Sequence, residues 1–183
     1  MNDSSSNYTE YVVAQKSEGK WRVKRILAVC GYVFFSIFWL GFMVGGLKIW
    51  PLGMLTPILT WLLVFLTWRY VAVEYEYTMA SGTVTFTHIY GRRSRKQIYE
   101  CKIKDFTRIA PVSDPYANDY AAKDIEITYD FRGSQNTPDA YFATFTDAKG
   151  KKGVIFFEMT NKALKICRFY NPSATVMSTT LRY

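Results

Sequence analysis

ILAVCGYVFFSIFWLGFMVGGL, residues 26–47, carries no charged side chain. At about 1.5 Å of rise per residue, a helix of this length covers the roughly 30 Å hydrocarbon core of a bilayer. A second uncharged run, Ile49–Trp68, follows after Lys48 alone and contains Pro51 and Pro57. Two such runs with so short a turn read as a transmembrane helical hairpin, with spans at 26–47 and 49–68. Two core helices of a soluble α domain would need more surrounding protein than a chain of 183 residues leaves. The first run is also too long, begins too late and lacks the small-residue cleavage site of a secretory leader, so it reads as retained. Pro57 is expected to kink the second span, because the apolar run continues from Trp61 to Leu66.

The flanking charges orient the hairpin. Lys16, Lys20, Arg22, Lys24 and Arg25 precede the first span, Lys48 stands in the turn and Arg69 follows the second. By the positive-inside rule both termini are expected on the cytoplasmic side of the cell membrane. Trp21, Trp50 and Trp68 fall at the expected boundaries, where an indole keeps its ring in the interface and its N–H near water. Neither span holds an ionisable acid or base, which argues against a transporter or channel. Gly41 and Gly45 form a GxxxG pair suited to close helix packing, either within the hairpin or between copies in a homo-oligomer.

Past Tyr70 the pattern turns from continuously apolar to alternating, the mark of half-buried strands. Val71, Val73, Tyr75, Tyr77 and Met79 share one face, with Glu74, Glu76 and Thr78 opposite. Ala80–Gly82 turn the chain, and Val84, Phe86, His88 and Tyr90 form the next face. Gly91 ends that strand. A third strand over the basic segment, a fourth ended by Pro111, a loop over Ser113–Lys123 and a strand from Ile125 to Phe131 follow. A last hairpin turns at Lys149 and Gly150, giving about seven strands. NKALKICRFY, residues 161–170, reads as an amphipathic helix capped by Thr160 or Asn161 and stopped by Asn171 and Pro172. The organisation expected is therefore an N-terminal segment 1–25, disordered or short and helical with a disordered serine-containing start, the hairpin 26–68, a cytoplasmic β-rich domain 71–170 and a tail 171–183.

Seven strands closed by one C-terminal helix match the layout of pleckstrin-homology-like domains. EYEYTMASGTVTFTHIYGRRSRKQIYECKIKDFTRIAPV, residues 74–112, resembles the bacterial form of that pattern: strand, glycine turn, strand, basic segment and a bend into a fourth strand. Most of the chain is similar to a family of small Gram-positive bacterial membrane proteins with two N-terminal transmembrane helices and a C-terminal PH-like domain. EYVVAQK near the start, and DAYFATF, GVIFFE and NKALK near the end, share in the likeness. The resemblance implies an α+β membrane protein whose domain is an antiparallel PH-like barrel or sandwich. It implies no chemistry.

Candidate sites follow from charge. Lys and Arg total 23 against 15 Asp and Glu, a formal net charge of +8, and the excess concentrates in one place. Arg92, Arg93, Arg95, Lys96, Lys102, Lys104 and Arg108 are opposed there only by Glu100 and Asp105. Such a segment suits anionic lipid headgroups of the inner leaflet or a membrane-protein partner, each cation near the surface contributing about 1 kcal/mol. The bland alternative is a solvated strand edge whose charges prevent edge-to-edge pairing. Few aromatics accompany the charge, which argues against nucleic acid. One His and three Cys leave no multi-ligand metal site and no disulfide framework. His88 is expected to be a structural histidine on an apolar face, and Glu74 and Glu76 ordinary exposed strand carboxylates. No phosphate-binding glycine loop occurs, and no cofactor is expected. The expected role is a non-catalytic binding module anchored by the hairpin, with a structural subunit assembling through Gly41 and Gly45 as the alternative.

Overall fold

The computed structural model describes residues 7–178, so the disordered start expected at residues 1–6 and the last residues of the tail lie outside the described residues. The chain divides into two compact units: Lys16–Val73 together with Tyr90–Ser94, and the remainder.

The first unit is the apolar pair of helices. Helix α1, Gly19–Leu40, continues as a π-helical segment, Gly41–Gly46. The chain returns through α2, Trp50–Gly53, and α3, Thr56–Thr67, and ends in a 3-10 turn, Trp68–Tyr70. The apolar helical stretches, Trp21–Gly46 and Trp50–Tyr70, are long enough to cross a membrane. They begin ahead of Ile26 and run past Trp68, because arginine and lysine are good helix formers and the helical hydrogen bonding continues through Arg22, Lys24, Arg25 and Arg69. Pro57 does not kink a continuous helix. It stands in the first turn of α3, where its missing N–H interrupts nothing, so the return leg is two helices rather than one bent one.

Hydroxyl pairs join the two legs: Tyr32 with Thr67 at 2.7 Å and Ser36 with Thr60 at 2.8 Å. In an apolar surrounding such contacts satisfy groups that lipid cannot. Gly41 and Gly45 take no part in this packing, since a Cβ added at either would meet nothing within 4 Å. The close approach instead uses Gly53, where an added Cβ would lie 2.6 Å from Val44 Cγ2.

The second unit holds eight strands in two four-stranded sheets, with no closed barrel. Strand β1, Tyr8–Ala14, lies in the segment expected to be disordered or helical. It pairs antiparallel with β2, Val73–Ala80, from Tyr8 opposite Ala80 to Ala14 opposite Glu74. The helices are therefore inserted between two neighbouring strands of one sheet. This first sheet runs β1-β2-β3-β4, with β3 at Thr83–Tyr90 and β4 at Ser94–Lys102 on its outer edge. Ser81 and Gly82 both take positive φ, +50° and +80°, the geometry of a tight hairpin between twisted strands.

The second sheet runs β5-β7-β8-β6, with β5 at Phe106–Pro111, β6 at Ile125–Asp130, β7 at Ala140–Thr146 and β8 at Lys152–Glu158. The β7–β8 pair is the hairpin expected around Gly150. β6, however, pairs parallel with β8, so the wholly antiparallel arrangement does not hold. The loop Ser113–Lys123 contains a 3-10 turn and a short helix α4, Ala117–Tyr120, that brings Tyr116 and Tyr120 against Phe142 and the outer face of this sheet.

Between the sheets lies an aromatic core. Phe86 stacks on Phe131 with centroids 4.8 Å apart and meets Tyr77 and Phe157 edge-on. Helix α5, Asn161–Tyr170, buries Ala163, Leu164, Ile166 and Cys167, with Thr160 accepting from the Ala163 N–H as its cap. Phe169 is 69% exposed, since its position in the helix turns it outward. After the helix, Asn171 is buried and the tail is tied to β5 by a bridge between Ile109 and Thr175.

Candidate functional site

The seven basic residues from Arg92 to Arg108 are not one patch. Gly91, Arg92 and Arg93 form the turn between β3 and β4, with positive φ of +56° at Gly91 and +59° at Arg92. Arg95 and Lys96 lie at the near end of β4, and Lys102 ends it about 24 Å from Arg95 at roughly 3.4 Å per residue. Lys104 sits in the 3-10 turn Ile103–Asp105, and Arg108 has passed to β5 in the other sheet. The segment also follows the third strand rather than the second, because β1 precedes the helices.

Several charges are already engaged. Arg95 reaches Glu76 at 3.1 Å, and Glu76 is buried rather than exposed as an ordinary strand carboxylate would be. Burial pushes the Glu76 carboxyl up and Arg95 opposes that shift, the two effects expected of a carboxylate covered by its neighbours. Arg108 lies 3.6 Å from Asp119 and over the Tyr116 ring at 5.4 Å. It lines a polar cleft of about 580 Å³ whose other charges, Lys152 and Asp124, also pair with each other. The two cations and two anions that line this cleft cancel in net charge, so it offers no charge excess to an anionic ligand.

The turn is different, because it is held against the end of the second helical leg. The Gly91 N–H donates to the Ala72 carbonyl at 2.9 Å. A Cβ on Gly91 would stand 2.7 Å from Arg69 Cβ and 2.9 Å from its Cα, so only glycine allows this approach. The Arg93 guanidinium lies 4.3 Å from the Phe65 ring centroid, and the Tyr70 and Tyr90 rings meet at 6.2 Å. Lys24 Nζ donates to the Tyr70 carbonyl at 3.1 Å, tying the start of α1 to the same place. Lys24, Arg69 and Arg93 thus gather at one end of the apolar helices. Arg69 belongs to this cluster although its place after the second apolar run marks only orientation, and Gly91, which follows β3, is the residue it approaches.

His88 is a structural histidine, with Tyr75 at 5.0 Å and Phe131 at 5.5 Å between ring centroids. The face expected to end at Tyr90 shifts by one, burying Ile89 instead. Burial, with Lys96 adding to it, holds the His88 imidazolium below its ordinary range. The folded chain thus binds that proton less readily than the unfolded one. The corresponding stability is full above about pH 6.5 and is lost as pH falls below it. Denaturation of His88→Gln should show a shallower loss of stability between about pH 6.5 and 5 than the parent protein; parallel curves would assign the acid sensitivity to other groups. Cys101 and Cys167 are pushed up to about 12 by burial, which keeps both as thiols rather than nucleophilic thiolates at neutral pH.

Residues 5–177 match the family model described as Bacterial PH-like domain (DUF6106). No curated protein and no solved structure matches the chain.

Proposed function

The chain belongs to the bacterial PH-like domain family, and on that premise we propose that it is a two-span membrane protein whose PH-like domain is a non-catalytic binding module at the anionic cytoplasmic leaflet. The observation that carries this reading is the tether of the basic β3–β4 turn to the end of the second apolar leg through Gly91 and Ala72. A turn fixed there meets headgroups without any search, and each of its cations gains from the negative surface potential within a Debye length.

The topology proposed puts both termini in the cytoplasm. It draws support from β1 and β2, which pair with each other on either side of the helical insertion, so both legs start and end at one sheet. The basic residues near those ends outnumber the single Lys48 at the opposite turn, in line with the positive-inside rule. A role for the hairpin in assembly is the second reading, supported by the open space at Gly41 and Gly45.

Hydrogen exchange of the full-length protein in nanodiscs of phosphatidylcholine, with and without phosphatidylglycerol, tests the proposal. Residues 90–96 should exchange more slowly in the anionic discs, and high salt should abolish the difference. Equal exchange in both lipids, together with an unchanged set of captured partners when Arg92, Arg93, Arg95 and Lys96 are all changed to Ser, would overturn it.

A further inference from the structure

The last turns of the second leg place Trp61, Phe65 and Trp68 on one side of the helix, at the i, i+4, i+7 spacing that aligns side chains. Arg69 follows them, and Gly91 and Arg93 of the β3–β4 turn close the space into a hollow of about 290 Å³. Among the described residues no carboxylate lines it. Its floor is aromatic and open, with Trp61 65% and Phe65 43% exposed. Its rim carries two guanidinium groups.

Both guanidinium groups are held by aromatic faces rather than by acids. Arg93 rests on Phe65 at 4.3 Å, and Arg69 rests on Tyr70 at 4.7 Å with Nη2 donating to the Tyr70 hydroxyl at 2.7 Å. Among the described residues neither has a carboxylate partner. Stacking uses the flat face of a guanidinium and leaves N–H groups on its edge to donate, the geometry that grips a phosphate by two parallel hydrogen bonds. An apolar floor beneath a cationic rim, at the end of a span, matches one kind of molecule in charge and in polarity.

We infer that this hollow is a site for a single anionic phospholipid, its phosphate between Arg69 and Arg93 and its glycerol and upper acyl chain against Trp61 and Phe65. The inference rests on the membrane reading above and narrows it from a charged surface to one stoichiometric ligand. Lys102 and Lys104, at the far end of β4, have no part in it. The aromatic floor separates a lipid from free phosphate, since the inorganic ion can use the rim alone.

Native mass spectrometry of the full-length protein in mild detergent, titrated with phosphatidylglycerol, provides the test. One lipid should be retained, and Arg69→Gln with Arg93→Gln should weaken its binding at least tenfold, whereas Lys102→Gln with Lys104→Gln should leave it unchanged. The paired change of both arginines to Lys keeps the charge and should fall between these results, which separates loss of the site from loss of the fold. Millimolar inorganic phosphate should not displace the lipid, and phosphatidylcholine should not replace it. Equal retention by the Gln pair and the parent, equal weakening by the two lysine changes, or displacement by inorganic phosphate would each overturn the inference. Slower exchange at residues 90–96 in anionic discs, measured on the same Gln pair, reads the broader proposal separately: protection that persists while the bound lipid is lost sustains the surface and locates its charge in other residues.

Discussion

Phe86→Ala should lower the stability of the protein by about 3–5 kcal/mol, the range for removing a large ring from a closed core. Phe86 is fully buried, and its ring lies among Tyr77 of β2, Phe157 of β8 and Phe131 after β6, so it touches both sheets at once. Truncation removes the ring's own transfer free energy and leaves a cavity bounded by three more rings that cannot all turn inward. Phe86→Leu refills much of that volume and should lose less. Chemical denaturation of the full-length protein in mild detergent, followed by near-UV circular dichroism, measures both. A loss below about 1 kcal/mol for the alanine variant would show that the sheets close over the gap and that the cluster is not what joins them.

Asn171→Ala should cost about 2–4 kcal/mol through a different mechanism, the exposure of unmet hydrogen bonding in a buried place. Asn171 Nδ2 donates to the carbonyl oxygens of Ile103 at 3.0 Å and Phe106 at 2.8 Å, while Oδ1 accepts from the Ala174 N–H at 3.4 Å. One amide thus ties the end of α5 to the bend before β5 and to the tail. Alanine removes the donor and leaves both carbonyls without it, away from water. Asn171→Asp should be worse than alanine, because it turns a negative oxygen toward two carbonyl oxygens where a donor stood. If aspartate and alanine proved equal, water would have to reach the site and the amide would not be what ties the helix end to the bend. The same denaturation experiment ranks the three proteins.

Much of this architecture was legible in the chain. The uncharged runs at 26–47 and 49–68 announced two apolar helices because length and lack of charge are local properties. The alternation of Val73, Tyr75, Tyr77 and Met79 announced β2 and its buried face for the same reason: a strand writes its period into consecutive residues. Thr160 or Asn161 announced the start of α5, and Thr160 is the cap, because a cap is settled within one turn.

What was not legible depended on distant partners. β1 is only half buried, with Val12 47% exposed, and its partner strand lies on the far side of the whole helical insertion, so no turn marks the pairing. The parallel contact of β6 with β8 likewise joins strands that β7 separates in the chain. The candidate site divides in the same way. The run from Arg92 to Arg108 marked where cations concentrate, but sequence proximity does not hold along an extended strand, which carries Lys102 far from Arg93. Arg69 joined Arg93 only through the close approach at Gly91, a contact between residues far apart in the chain.

By itself the sequence determined the apolar helices, most of the strands with their inward faces, the C-terminal helix and the abundance of positive charge, since each is written in the spacing of neighbouring residues. The tertiary structure alone decided that the helices interrupt a sheet, that one strand pair is parallel, and which arginines meet over an aromatic floor. Those depend on the pairing of distant segments, where backbone hydrogen bonds and shared burial, rather than local pattern, choose the partner.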